Sequence, residues 1–354
     1  MAEQQVVTHI VRRFGLVGGM EAYVWHLCRG LSERGWVVNI ICEQQSGTLP
    51  GVNVLQTPIN RKNSRWQQMH AFRNEVYKLV DSRKDLGIIH SHERSIAHNV
   101  TTFHGQPFYR TRDAKKWWHC MSKRIEAWVK MEEHELCSES CQAIVPVSYL
   151  VKRNISELYP LVSAKLLDPI WPGVSYTDKF ELIKIRRDGL SCVFVGVEWR
   201  RKGLEKAIEI VKLLRADSID VTLSVYGPSA EKLPAWMQRV DWLLLEGFQA
   251  VVPYKEYDLL IHPAEYEAFG MVVSEARQQG VPVLMSDMVG ALDLHRCHVR
   301  ALSLNSSIET WCESARELLK EKSANQDICK DQIWDWSCVA SSYERLVYSH
   351  LTTT

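Results

Sequence analysis

Residues 6–42 decide the fold: Val6-Val-Thr-His-Ile-Val11, a turn Gly15-Leu-Val-Gly-Gly19, a run from Met20 to Arg34 closed by Gly35, and Val37-Val-Asn-Ile-Ile-Cys42. The two flanking runs are short, apolar and rich in Val and Ile, as strands buried on both faces are. Between them Val24, Leu27 and Leu31 recur at helical spacing, and Gly35 stands where a helix ends in a left-handed residue. Strand, helix and strand in that order make a βαβ unit, and such units build parallel sheets.

The alternation continues outward. Val52–Gln56, Leu86–His90, Val100–Phe103 and Ala143–Val147 read as further strands of the same α/β unit. After the turn at Trp171-Pro-Gly173, the polar stretch from Ser175 to Gly189 loses hydrophobic periodicity and reads as a linker. Beyond it, Ser191–Val197, Val221–Tyr226, Trp242–Leu245, Leu259–His262 and Pro282–Met285 read as strands, with helices near 204–214 and 271–279 and a helical tail over 308–321 and 339–351. The expected class is α/β, two α/β/α domains facing a central cleft. The first spans 1–175, the second 176–335, and a C-terminal helix over 336–354 crosses back to the first. Ligands of such folds sit at the carboxyl ends of the strands.

Composition narrows the classes. At ~150 residues per domain, the 354 residues make two domains. An apolar share of 46% and a charged share of 24% exclude a disordered or fibrous chain. Lys and Arg number 43 against 42 Asp and Glu, so the overall positive charge that coats nucleic acid is absent. That near-neutral total conceals a division: residues 1–175 hold 22 Lys and Arg against 16 Asp and Glu, and residues 176–354 hold 21 against 26. The N-terminus lacks a basic, apolar leader and no run nears the ~18 apolar residues of a membrane span, so a cytoplasmic protein is expected. Ten cysteines without CxxC pairs read as reduced thiols. Cys137 and Cys141, one turn apart, lack the second pair that a zinc site needs, and no metal is expected.

Three junctions carry chemistry. In Gly15–Gly19, glycine lets the backbone approach a ligand and the following helix offers free N–H groups; the same residues serve equally as a plain βα turn, and the spacing is not GxGxxG. Glu198-Trp-Arg-Arg-Lys-Gly203 follows a strand and opens a helix, so Arg201 and Lys202 lie at the carboxyl edge of the second sheet, suited to a diphosphate. A solvated basic loop is the alternative. In His262-Pro-Ala-Glu-Tyr-Glu267-Ala-Phe-Gly270-Met-Val-Val-Ser-Glu275, two carboxylates flank seven residues across a strand-to-helix junction. Both can accept sugar or ribose hydroxyls; alternatively Glu267 complements the helix dipole and Glu275 is simply exposed. His90 and His92 at a sheet edge read, on their residues alone, as structural histidines.

Together with Gly18-Gly19-Met20-Glu21, His90-Ser91-His92, Thr102-Phe-His104-Gly105, Val145-Pro-Val-Ser148, Trp171-Pro-Gly-Val174 and Phe194-Val-Gly196, these segments run in an order that resembles the retaining GT-B glycosyltransferases of family 4 type, marked by a Glu-x7-Glu motif. The resemblance covers nearly the whole chain, and within the family it is most like the lipopolysaccharide-core glucosyltransferases. It implies two Rossmann-like domains and metal-independent, cofactor-free transfer of a hexose from a nucleotide sugar, a UDP-sugar such as UDP-glucose, to a lipopolysaccharide core or another glycolipid or glycan. It implies further that His104, Glu267, Arg201 and Lys202 are catalytic. Arg201 and Lys202 would contact the donor diphosphate, Glu275 the ribose, and Glu267 with Ala268, Phe269 and Gly270 the sugar. His104 would sit near donor sugar and acceptor, Gly18 and Gly19 near the phosphates or acceptor, and Glu21 and His92 on the acceptor side. In the family's front-face attack the leaving phosphate oxygen helps deprotonate the acceptor hydroxyl, so catalysis rests on positioning and charge.

The chain departs from the family at Val289-Gly290-Ala291, where a Gly-Gly pair is common, and at Pro172-Gly-Val-Ser175, where Asn-Gly-Val-Asp is common. The segment Gly247–Tyr257, near where the base lies, is short, which leaves the base open. A nucleotide-sugar epimerase on the same fold and a non-catalytic nucleotide-sugar-binding protein are the alternatives.

For the acceptor, Arg61–Lys130 holds 15 Lys and Arg against 6 Asp and Glu, interleaved with Trp66, Trp117, Trp118 and Trp128. In one helix over 113–137, Trp117, Met121, Ile125 and Val129 would form a stripe flanked by Lys115, Lys116, Lys123 and Lys130, as a helix lying on an anionic membrane surface does. The stripe would equally pack on the N-terminal sheet. No nucleic-acid motif accompanies the charge, so nucleic acid is not an expected partner; peripheral association with the inner face of the cytoplasmic membrane is.

Overall fold

The computed structural model describes residues 5–59, 64–108, 122–175, 189–324 and 334–351. The chain divides into two compact units, Met1–Gly173 with Trp334–Thr354, and Val174–Ile333. The divide thus falls two residues before the 175/176 and 335/336 boundaries read from the sequence, and the linker segment 176–188 lies outside the described residues.

The first unit runs β1 (Val6–Ile10), β2 (Arg13–Phe14), α1 (Gly19–Glu33), β3 (Val37–Cys42), β4 (Gln44–Gln45), β5 (Val52–Gln56), α2 (Arg65–Asp81), β6 (Ile88–Ser91), β7 (Val100–Phe103), α3 (Lys123–Cys137), β8 (Ala143–Pro146) and α4 (Tyr149–Leu158). Its sheet has the order β5-β3-β1-β6-β7-β8, parallel throughout, beside a two-residue ribbon of β2 with β4. The second unit repeats the plan with β9 (Leu190–Val195), α5 (Leu204–Ala216), β10 (Val221–Tyr226), β11 (Leu243–Gly247), β12 (Leu259–His262), α6 (Met271–Gln278), β13 (Val283–Ser286), β14 (Val299–Leu302) and α7 (Ile308–Ala324). Its strands lie parallel in the order β11-β10-β9-β12-β13-β14. A last helix, α8 (Trp336–Ser342), belongs to the first unit.

In both sheets the strand order reverses between the first and fourth main strands, β1 beside β6 and β9 beside β12. Successive connections leave that point toward opposite faces, which opens a crevice at the strands' carboxyl ends. Burial explains the elements. Helix α1 buries Val24, Leu27 and Leu31, and Gly35 at φ +88° ends it, with the Trp36 amide donating to the Leu31 carbonyl at 3.1 Å. A Cβ on Gly30 would stand 2.8 Å from that of Ala340, so glycine lets α1 and α8 approach closely. In the second unit Phe194, Leu204, Val211, Leu223, Ile261 and Trp311 form the core between sheet and helices.

The differences from the sequence reading are local. Helix α8 starts at Trp336, the first residue of the expected C-terminal helix and three residues before the periodic run over 339–351, because the Asp335 carboxylate accepts the Cys338 amide at 2.8 Å and caps it there. Helix α3 buries Ile125 and Val129 with Met131 and Leu136, while Trp66 and Trp128 pack on the cluster of Met69, Phe72 and Val76. The stripe read as an alternative between membrane and core is core wherever it is described; Lys115, Lys116, Trp117, Trp118 and Met121 lie outside the described residues. Among the described residues no helix is long and apolar enough to cross a membrane.

Candidate functional site

The crevice of the second unit is built by the loops after β9 and β12, adjacent strands in which Cys192 pairs with Leu259. The two loops are fastened backbone to backbone. The Glu265 amide donates to the Arg201 carbonyl at 2.8 Å, and at Gly203, φ +80°, a Cβ would meet the Pro263 carbonyl oxygen at 2.1 Å. A glycine is required there twice, by its conformation and by the approach. The β12 loop is held in turn by the segment after β13: Glu267 donates its amide to Met288 O at 2.9 Å, and Glu267 O accepts the Gly290 amide at 3.0 Å. The segment that departs from the family pattern thus holds Glu267 through its backbone. Gly270, φ +96°, turns the chain into α6.

On this frame two cations meet one carboxylate. The Lys202 ammonium contacts Glu267 Oε2, and Arg201 Nη1 reaches the same oxygen at 3.4 Å. Arg201 also donates to the Tyr266 carbonyl and, through Nε and Nη2, to Glu198 Oε2 at 3.0 and 2.5 Å. Burial pushes the Glu267 carboxyl up, but the Lys202 and Arg201 charges outweigh it, and its pKa lies below the ordinary carboxyl value. His262, at the end of β12, is fully buried with no hydrogen-bond partner at either ring nitrogen among the described residues. Burial, reinforced by Lys202, holds it neutral, its pKa lowered to about 3. Glu275 on α6 is half-buried and accepts the Tyr254 hydroxyl at 3.0 Å; burial raises its carboxyl pKa against that bond. Phe269 is buried and Ala268 half-buried.

The first unit places imidazoles at its own switch point. His9 on β1 pairs in register with His90 on β6; His92 follows β6 and His104 follows β7. His90 is a structural residue, with Tyr348 OH 2.6 Å from Nδ1 and Thr102 Oγ1 2.7 Å from Nε2. His92, expected on the acceptor side, is instead 4% exposed with both ring nitrogens taken by His9 and His104, so it has none left for a ligand. Glu21, also expected there, is buried, ion-paired with Arg13 and folded across Gly18. Gly18 precedes α1 in an extended conformation, Gly19 begins it with open space where a Cβ would stand, and Leu16 and Val17 beside them are exposed. His104 is half-buried against the edge of Tyr23, ring centroids 4.8 Å apart.

Sequence reasoning did not single out His9, Tyr23, Tyr343 or Tyr348. Tyr343 OH stands 2.9 Å from Tyr23 OH and 2.6 Å from Thr102 Oγ1, which ties the C-terminal segment to this cluster. His9 lies inside a strand buried on both faces, where no alternation marks one residue from the next.

Residues 17–177 match the model for glycosyltransferase family 4, and residues 177–332 that for glycosyl transferases group 1. The chain is 29% identical over 156 residues to a GDP-mannose-dependent alpha-mannosyltransferase of Corynebacterium glutamicum, covering 41% of this chain and 37% of that relative, so the match spans little more than a third of the relative's length. Its fold is that of WaaG, a glycosyltransferase involved in lipopolysaccharide biosynthesis, with a TM-score of 0.76 at 16% identity over 98% of this chain and 96% of that one. It is also that of Anabaena HepE, solved in complex with UDP-glucose, with a TM-score of 0.71 at 14% identity over 98% and 100% of the two chains. With two family models meeting at residue 177 and together spanning 17–332, on paired parallel sheets of one strand order, the chain belongs to the family 4, group 1 glycosyltransferases of GT-B fold.

Proposed function

We propose that the protein is a retaining, metal-independent hexosyltransferase that takes a UDP-hexose and extends a glycolipid or glycan acceptor, a lipopolysaccharide core above all. The observation that carries the reading is the convergence of Lys202 and Arg201 on one oxygen of Glu267 at the β9/β12 switch point. Two cations gathered at one sheet edge, held meanwhile by Glu267 and by the exposed Glu198, can turn their N–H groups to a diphosphate, and the first turns of α5 and α6 add free N–H groups at the same edge.

In this reading Arg201 and Lys202 hold the diphosphate and stabilise it as it leaves. Glu267, with the backbone of Ala268, Phe269 and Gly270, orients the sugar hydroxyls; Glu275 takes the ribose. His104 hydrogen-bonds an oxygen of the sugar or the acceptor, and Gly18 and Gly19 give it backbone access. The bond from the anomeric carbon to the diphosphate breaks, the acceptor oxygen bonds the same face of that carbon, and its proton passes to the departing phosphate oxygen. Retention follows without a covalent intermediate. The protein would work on the cytoplasmic side of the membrane that carries its acceptor, with the excess of Lys and Arg over 61–130 drawing it to anionic lipid.

A donor panel of UDP-glucose, UDP-galactose, UDP-N-acetylglucosamine and GDP-mannose, read by thermal shift and then by transfer to a defined core oligosaccharide, tests the proposal, since a donor stabilises the fold by mass action. Transfer with inverted anomeric configuration, or conversion of a donor with no acceptor present, overturns it.

A further inference from the structure

Three imidazoles of the first unit stand in line. His9 Nδ1 lies 3.0 Å from His92 Nε2, and His92 Nδ1 lies 3.0 Å from His104 Nε2. The line is packed in place: the His90 ring centroid is 4.3 Å from that of His92 and 4.9 Å from that of His9, and Tyr23 closes on His104. The two ends differ. His9 is fully buried, and among the described residues its Nε2 has no partner; His104 is half-buried, and no described group hydrogen-bonds its Nδ1.

Each contact between ring nitrogens needs one N–H and one bare nitrogen, and a neutral imidazole carries one of each. Burial keeps these rings neutral, with His9 and His104 lowered to about 3 and His92 well below its ordinary value. The protons of the line can then be arranged in only two ways, all directed toward His104 or all toward His9. The second puts an N–H on His9 Nε2, a donor without an acceptor in a fully buried place, which is the rarer and more costly defect. The first leaves that nitrogen bare and puts the last proton on Nδ1 of His104.

We propose that His9 and His92 are positioning residues that hold His104 as its Nδ1–H tautomer, so that His104 gives a hydrogen bond to a reacting or flanking oxygen and does not accept a proton. The oxygen served rests on the hexosyltransferase reading; the tautomer does not.

Long-range proton–nitrogen correlation NMR of the full chain carrying nitrogen-15 histidine, with His104 assigned by His104→Gln, reads the tautomer directly. The expected spectrum shows His104 protonated at Nδ1 and bare at Nε2 at neutral pH. His9→Asp puts a group that only accepts where His9 Nδ1 donated, so the line turns round, His104 shifts toward Nε2–H and kcat for transfer falls about tenfold with donor KM little changed. His9→Asn, whose side-chain amide stands where Nδ1 did, restores both. A wild-type His104 protonated at Nε2, or a tautomer unmoved by His9→Asp, overturns the proposal. Where His9→Asp does not fold, the wild-type spectrum and His9→Asn still decide it. A chain with this spectrum and no transfer to any acceptor would sink the hexosyltransferase reading and leave the relay standing.

Discussion

Lys202 and Glu267 form an ion pair nearly closed to water, their side chains 13% and 18% exposed. A charge so placed is worth far more to an incoming diphosphate than one on an open surface, because little solvent screens it. Lys202→Ala is expected to lower kcat/KM for transfer by roughly 10²–10³. Initial rates across the donor panel check this, and unchanged rates with every donor would remove the diphosphate site from this crevice.

The two carboxylates of the site respond to pH in opposite senses. Glu267 titrates below its ordinary value of 4.5, so its stabilisation is complete above that pH and is lost as pH falls through the folded value. Glu275 titrates above 4.5, so the contribution of its burial is present below that pH and is lost as pH rises through the raised value. Glu275→Gln, which still accepts from Tyr254, is therefore expected to raise Tm at pH 7.5 and to give no gain at pH 4. A lower Tm at pH 7.5 would contradict this.

Gly203 is the tightest backbone approach in the crevice, and alanine there must both strain φ +80° and displace the Pro263 carbonyl. Gly203→Ala is expected to cost about 2 kcal/mol or more and to abolish donor binding with it. Denaturant unfolding gives the first figure and the donor thermal shift the second; a variant with wild-type stability would show that the loops are not clamped.

Acid should loosen the first unit before carboxylates titrate. Below 6.5 the unfolded His9 takes up a proton that the folded one, at about 3, refuses. Stability is thus whole above 6.5 and falls by about 1.4 kcal/mol per pH unit for such a histidine down to the folded value. Urea midpoints between pH 7 and pH 4.5 check this, and His9→Asn is expected to flatten the slope.

How far the sequence alone reaches follows from what each signal depends on. The βαβ pattern of residues 6–42, Gly35 included, is local and is found where expected. Both loops with Arg201, Lys202 and Glu267 lie at strand ends, where composition changes abruptly, and a parallel sheet brings such ends to one edge. His9 gives no such signal, because Val7, Thr8 and Ile10 beside it in the strand are buried as well. The roles of Tyr343 and Tyr348 depend on partners more than 240 positions away, a distance over which periodicity says nothing. Strand β14, Val299–Leu302, has an Arg and an Ala among four residues and is made a strand by pairing with β13.

Because Trp334–Thr354 completes the first unit, that unit is discontinuous in the chain. On a ribosome the second unit emerges whole while the first still lacks Tyr343 and Tyr348, whose hydroxyls neighbour Thr102 and His90. The first unit is therefore the last to close, although its strands are made first. Nascent chains stalled before residue 334 should expose the buried face of α1 to chaperones and proteases, and that vulnerability ends only when the final helix is released.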